Sequence, residues 1–246
     1  MKILGIIPAR FASTRFPGKP LVDIAGTTMI RRVYEQSKKS KSLSEVIVAT
    51  DDQRIADHVI GFGGNAVLTS SSHQSGTDRC AEVSLQNLGY DVVVNIQGDE
   101  PFIDPRQIDL LCGCFNDSTV LIATLIKRIS NTEELLDSNT PKVIVNKLGQ
   151  AIYFSRSPLP YFRGLETDEW LKYHTYFKHI GIYGYRDSTL QELTSLPISS
   201  LEKAEALEQL RWIENGMTIQ TAVTNFESLS VDTPLDLQKV LLQFKK

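Results

Sequence analysis

Three cations fall within the stretch PARFASTRFPGKP at residues 8–20: Arg10, Arg15 and Lys19, interleaved with Ser13, Thr14 and Gly18. Guanidinium and ammonium groups beside small residues that let the backbone come close are what a polyphosphate needs, especially near a helix N-terminus. The stretch matches neither of the two commonest phosphate loops. A Walker A motif needs Gly where Ser13 stands and Ser or Thr where Pro20 stands, and a lone Gly18 does not make the GxGxxG turn of a dehydrogenase. Two carboxylates form the second feature, Asp99 in QGDEP and Asp232 in VDTP, each read as following a strand. On residues alone, Asp99 also reads as a turn residue, with Glu100 as a competing ligand. Asp232, just ahead of Pro234, reads equally well as a helix N-cap.

Apolar periodicity supplies the elements that must position these groups. Runs rich in β-branched residues recur at Ile3 to Ile7, Val46 to Ala49, Ala66 to Leu68 and Val92 to Ile96. Between them lie helical stripes, Met29, Ile30 and Val33 first, then Ile55, Ala56, Val59 and Ile60. Strands alternating with helices predict an α/β fold, a mostly parallel sheet flanked by helices, with ligands bound beyond the carboxyl ends of the strands. That rule selects four loops: Pro8 to Pro20, Thr50 to Gln53, Thr69 to Arg79 and Gln97 to Pro105. Residues 120–185 read as mixed sheet with a small excursion at about 158–177, suited to covering a ligand or contacting a second subunit. The spacing then predicts one helix from about Leu201 to Glu214, opened by a Ser199 to Glu202 capping box and stopped at Gly216, with Leu201, Ala204, Leu207, Leu210 and Ile213 as its buried stripe. A strand over Thr218 to Val223 and a helix from Pro234 close a chain read as a single domain over residues 1–246.

Composition narrows the function classes. Twenty-six basic residues face 29 acidic ones, with no basic stripe, which argues against nucleic-acid or membrane-surface binding. The longest near-apolar run, Val120 to Ile126, is far short of the roughly 18 residues that span a bilayer. The opening Ile3 to Ile7 is too short for a signal peptide and reads as a buried strand. Cys80, Cys112 and Cys114 are odd in number and lack the partners of a structural zinc site, so a reducing cytoplasm is the expected compartment.

The motifs run on in a fixed order: PAR, AST and PGKPL, then HQSGTDR (73–79), VNIQGDEP (94–101), YFSR (153–156), HIGIYGYR (179–186), LEQLR (207–211) and VDTP (231–234). In this order the chain resembles the sugar-nucleotide-forming nucleotidyltransferases, and among them the 3-deoxy-manno-octulosonate cytidylyltransferases. The resemblance implies a Rossmann-like fold and a reaction in which CTP meets the anomeric hydroxyl of 3-deoxy-manno-octulosonate (Kdo), yielding CMP-Kdo for lipopolysaccharide assembly and pyrophosphate. It assigns Mg²⁺ to Asp99 and Asp232, and triphosphate contacts to Arg10, Arg15 and Lys19, with Lys19 and Arg10 also catalytic. Ser75, Gly76 and Arg79 are implied nucleotide contacts. Gln97, Arg156, His179, Tyr183, Glu208 and Gln209 are implied to hold the sugar acid, Arg156 by a fork-shaped grip on its carboxylate. A homodimer is implied by analogy. Two other readings are open at this stage: transfer to 8-amino-Kdo or another ulosonic acid, and a non-catalytic nucleotide-binding module.

Overall fold

Ile3–Ala9 forms β1, and both faces of this strand are buried, as a central strand covered by helices on each side requires. The computed structural model describes residues 1–12, 16–227 and 229–243. A 3₁₀ turn at Lys19–Leu21 and a short ribbon, β2 (Asp23–Ile24) with β3 (Thr27–Thr28), follow β1. The chain then alternates through α1 (Met29–Ser37), β4 (Glu45–Thr50), α2 (Gln53–Gly61), β5 (Ala66–Leu68), α3 (Gly76–Gln86), β6 (Val92–Asn95), α4 (Pro105–Gly113) and β7 (Ile122–Arg128). Both predicted stripes face inward, except that Ile60 stands 59% exposed at the end of α2.

The second half is less regular. After α5 (Thr132–Leu136) come the hairpin β8 (Lys142–Val145) and β9 (Ala151–Ser155), α6 (Trp170–Tyr173), β10 (Phe177–Arg186), α7 (Asp187–Ser195), α8 (Ser200–Glu205), α9 (Gln209–Glu214), β11 (Ile219–Val223) and α10 (Pro234–Gln243). The sheet order is β11-β7-β10-β6-β1-β4-β5, with β8 and β9 branching from β10. The strands β6, β1, β4 and β5 run parallel, as do β7 and β11, whereas β10 is antiparallel to β6, β7 and β8. The reversal therefore sits in the middle of the sheet, between β6 and β7. Residues 158–177 carry α6, whose Trp170 packs with Ile129, Leu135 and Tyr176 in a small cluster of their own.

One predicted element is divided. Residues 201–214 form two short helices because Ala206 takes a left-handed conformation, φ 51° and ψ 48°. A continuous helix would use the carbonyls of Glu205 and Ala206 to accept from residues 209 and 210. Instead the Arg156 guanidinium takes both, Nε donating to Glu205 O at 2.7 Å and Nη2 to Ala206 O at 3.3 Å. Ala204 is consequently exposed, while Gln209 and Trp212 join Leu210 in the interior.

Candidate active site

The loops that follow β1, β5 and β6 meet at one edge of the sheet around a cleft of about 300 Å³. The loop after β4, also expected there, serves its neighbours instead. Asp51 accepts from Arg79 Nη2 at 3.1 Å and Asp52 caps α2. The tightness of the junction shows at Gly98, where an added Cβ would stand 2.7 Å from Pro8 O. Gly98→Ala must part the end of β1 from the loop after β6. Overpacking of this kind typically costs about 1–3 kcal/mol, and shifts near 1 Å in a catalytic array reach about a hundredfold in rate. We expect steady-state kinetics of this variant to show a loss of that order; parental rates would mean that the end of β1 and the β6 loop need not touch.

Lys19 is the hub of the cleft. Gly18, at φ 71°, makes the left-handed turn into the Lys19–Leu21 helix. Lys19 Nζ then donates to Asp99 Oδ2 at 2.8 Å and to Asp232 Oδ1 at 3.1 Å. The two carboxylates come from distant parts of the chain and are fixed to each other by the main chain, since Val231 N–H donates to Asp99 O at 2.9 Å. The capping alternative for Asp232 is excluded by its neighbours: Thr233 Oγ1 accepts from Asp236 N, and the Asp236 carboxylate accepts from the N–H groups of Asp232 and Thr233. Two hard carboxylate oxygens converging on one cation suit Mg²⁺, which takes one or two carboxylates and completes its shell with phosphate oxygens and water.

On the nucleotide side, Arg10 is exposed at the rim, and Arg15 lies outside the described residues. Ser75 and Gly76 line the cleft where α3 begins. Ser75 is engaged in a capping box with Asp78, so its hydroxyl secures the helix. Arg79 is 3% exposed, and its guanidinium is bound to Thr69 Oγ1 and Asp51 Oδ2. It lines the cleft and at the same time braces its wall.

Of the six residues expected to hold a sugar acid, Gln97 lines this cleft. The others lie outside its wall, on β10, α9 and the end of β9. Gly181, in the irregular part of β10, approaches Gln97, so β10 passes beside the residue that lines the cleft. His179 and Tyr183 lie on this strand with ring centroids 5.1 Å apart. Glu208 accepts from Thr77 Oγ1 at 2.7 Å, which ties α9 to the start of α3, and burial raises its carboxyl above the usual range. Gln209 is 5% exposed, and its Nε2 has no hydrogen-bond partner among the described residues. The Arg156 guanidinium is occupied by the carbonyls of Ser138, Glu205 and Ala206, so here it acts as a clamp.

His179 is held neutral. Its Nε2 pairs with Thr124 Oγ1 at 3.0 Å, Phe154 packs edge-on against it, and burial pushes the imidazole down to about 3. A lowered folded pKa gives stability that is complete above the unfolded value near 6.5 and lost as pH falls toward about 3. At pH 5 the loss is bounded at about 2 kcal/mol, an upper figure because part of the residue stays accessible. Glu208 acts with the opposite sign, so the comparison is between parent and His179→Gln. Chemical denaturation at pH 7 and pH 5 should show a steeper acid loss in the parent; equal losses would mean the imidazole ionises freely in the fold.

Thr77, Thr124 and Glu205 position predicted residues without themselves being foreseen. Thr77 stands within HQSGTDR, where spacing could have drawn attention to it. Thr124 sits in an apolar strand with no such signal. Burial raises the thiols of Cys80, Cys112 and Cys114, which leaves none as a ready nucleophile.

A cytidylyltransferase family model matches residues 4–219. The 3-deoxy-manno-octulosonate cytidylyltransferase of Parabacteroides distasonis is 55% identical over 98% of this chain and 97% of its own length. The chain belongs to this cytidylyltransferase family. A protein of the same name from Geobacter sulfurreducens is 48% identical over the whole of both chains. A solved structure of CMP:2-keto-3-deoxy-manno-octonic acid synthetase complexed with CTP superposes with a TM-score of 0.92 at 44% identity, covering 100% of this chain and 99% of the other. Within a cytidylyltransferase of this kind, the edge where Lys19, Asp99 and Asp232 meet is the ligand edge expected of an open α/β sheet. The central reversal at β10 sets the HIGIYGYR segment against β6 and β7.

Proposed function

We propose that this chain transfers CMP from CTP to the C2 anomeric hydroxyl of Kdo, releasing pyrophosphate. The observation that carries this reading is the convergence of Lys19, Asp99 and Asp232 in a cleft at the start of α3. The anomeric oxygen forms a bond to the α-phosphorus of CTP while the bond to the pyrophosphate oxygen breaks, and the hydroxyl proton is lost. Such a transfer needs alignment and neutralisation of charge, with little covalent help from protein. Lys19 offsets charge building on the α-phosphate and leaving group, and Arg10 does so from the rim. The first turn of α3, at Gly76, favours the anionic end of the nucleotide. Gln97 and the β10 and α9 side chains receive the sugar acid, with neutral His179 and the Gln209 amide matched to its hydroxyls.

Asp99 and Asp232 are proposed to hold Mg²⁺, which when bound supplies further neutralisation of the triphosphate. A homodimer is proposed too, its contact including the 158–177 excursion, where Tyr161 and Tyr173 are 74% and 64% exposed; light scattering that finds a monomer under assay conditions rejects it. The cytoplasm is the proposed compartment, supported by three unpaired cysteines. Among the described residues no helix is long and apolar enough to cross a membrane.

The test is pyrophosphate release from CTP with Kdo, 8-amino-Kdo or sialic acid at matched concentrations, with and without chelator. Release with Kdo that stops on chelation is the expected result. Preference for 8-amino-Kdo moves the assignment to that sugar acid, and silence with every acid despite CTP binding removes the transferase reading.

A further inference from the structure

The nucleotide wall of the cleft is a loop, Thr69–Ser75, with no strand or helix of its own, and His73, Gln74 and Ser75 on it face the cleft. Such a loop keeps one conformation only if side chains hold it. Two residues of α3 do so. Arg79 fastens the loop's first residue through Thr69 Oγ1 and ties it to Asp51 at the end of β4. One turn further along α3, the Glu82 carboxylate accepts the main-chain N–H of Ser70 at 2.9 Å and pairs with His73 Nε2. Those bonds are charge-assisted and about twice as strong as neutral ones, and the Ser70 N–H foremost holds the Glu82 carboxyl below the usual range. Gln86 Nε2 donates to the other oxygen at 3.2 Å and steadies the carboxylate on its helix. Glu82 itself lies outside the cleft wall, whereas His73, which it grips, is part of it.

We propose that Glu82 is a positioning residue for the nucleotide: by drawing Ser70 and His73 onto α3 it sets the wall against which CTP binds. The proposal rests on the reading that CTP occupies this cleft. A loop released from Glu82 spends only a fraction of its time in the competent form, and apparent affinity falls by that fraction. Once CTP is bound the loop is ordered again, so the transfer step is unaffected. The signature is a rise in KM for CTP with kcat preserved.

The full-length chain, Glu82→Ala, Glu82→Gln, His73→Ala and the Ala/Ala double variant are titrated with CTP calorimetrically and assayed for both substrates. In Glu82→Ala we expect Kd and KM for CTP to rise about tenfold, with kcat at saturating CTP and KM for Kdo within about twofold. Glu82→Gln, which can still accept from Ser70, should fall between, and it decides the matter if the alanine variant is poorly folded. The double variant should lose less CTP affinity than the two single losses summed, because both singles break the Glu82–His73 contact. A lowered melting temperature with unchanged KM for CTP, equal rises in KM for both substrates, or additive losses in the double variant would each overturn the proposal. A parent chain that binds no CTP would overturn the underlying reading and this proposal with it, an outcome distinct from tight binding in every variant.

Discussion

Replacing Lys19 with methionine is expected to leave a folded chain that still takes up Mg²⁺ while kcat falls about a hundred- to a thousandfold, the range for removing one preorganised electrostatic contact to a transition state. Lys19 Nζ is the only cation placed within hydrogen-bond distance of both Asp99 and Asp232 among the described residues. Without it the two carboxylates face each other with less compensation, so a divalent ion should stabilise the variant against heat more than it stabilises the parent. The measurement is kcat by pyrophosphate release beside the melting temperature with and without Mg²⁺. A variant that keeps parental turnover would restrict Lys19 to neutralising the carboxylate pair. One that gains nothing from Mg²⁺ would show that the pair is not a cation site.

Asp99→Asn and Asp232→Asn are each expected to lower Mg²⁺-dependent turnover by a similar factor, about a hundred- to a thousandfold, with little change in folding. The fold is insulated from both changes. Asp99 holds Val231 through its main-chain carbonyl, which asparagine retains, and the start of α10 is capped by Thr233 and Asp236. The control is Thr233→Ala, which removes the cap, costs about 1 kcal/mol of stability and should leave most of the turnover. Activity lost equally in the control and the aspartate variants would mean that Asp232 matters only through the backbone it sits on. Parental activity in Asp99→Asn would exclude Asp99 as a ligand.

Much of this was legible in the residues. The polyphosphate character of residues 8–20 follows from cations and small residues after the first buried strand, and that strand's apolar run and position suffice to place the loop at the ligand edge. The order of strands and helices through β6 follows from periodicity, because each element buries one stripe or both faces in a local, repeating way. The capping box at Ser199 is local as well, since it joins residues three apart.

The rest depends on partners far apart in sequence. Alternation along Ile180 to Tyr185 is the same for a parallel and an antiparallel strand, so periodicity could not place β10 between β6 and β7. The helical stripe over 201–214 was sound as a local signal, but Arg156, some fifty residues earlier, captures the carbonyls that a continuous helix would need. Arg79 carries the charge of a phosphate ligand, and only the fold shows that Asp51 pairs with it and Thr69 accepts from it at the cleft wall. Asp232 is the sharpest case: its sequence suits a helix cap and a metal ligand equally, and the fold gives the cap to Thr233 while Val231, bonded to Asp99, brings Asp232 to Lys19. Local pattern therefore determined the elements and the chemical types at the site. Which groups face one another, and which are already engaged by a neighbour, was decided by long-range hydrogen bonds and ion pairs that exist only once the sheet has assembled.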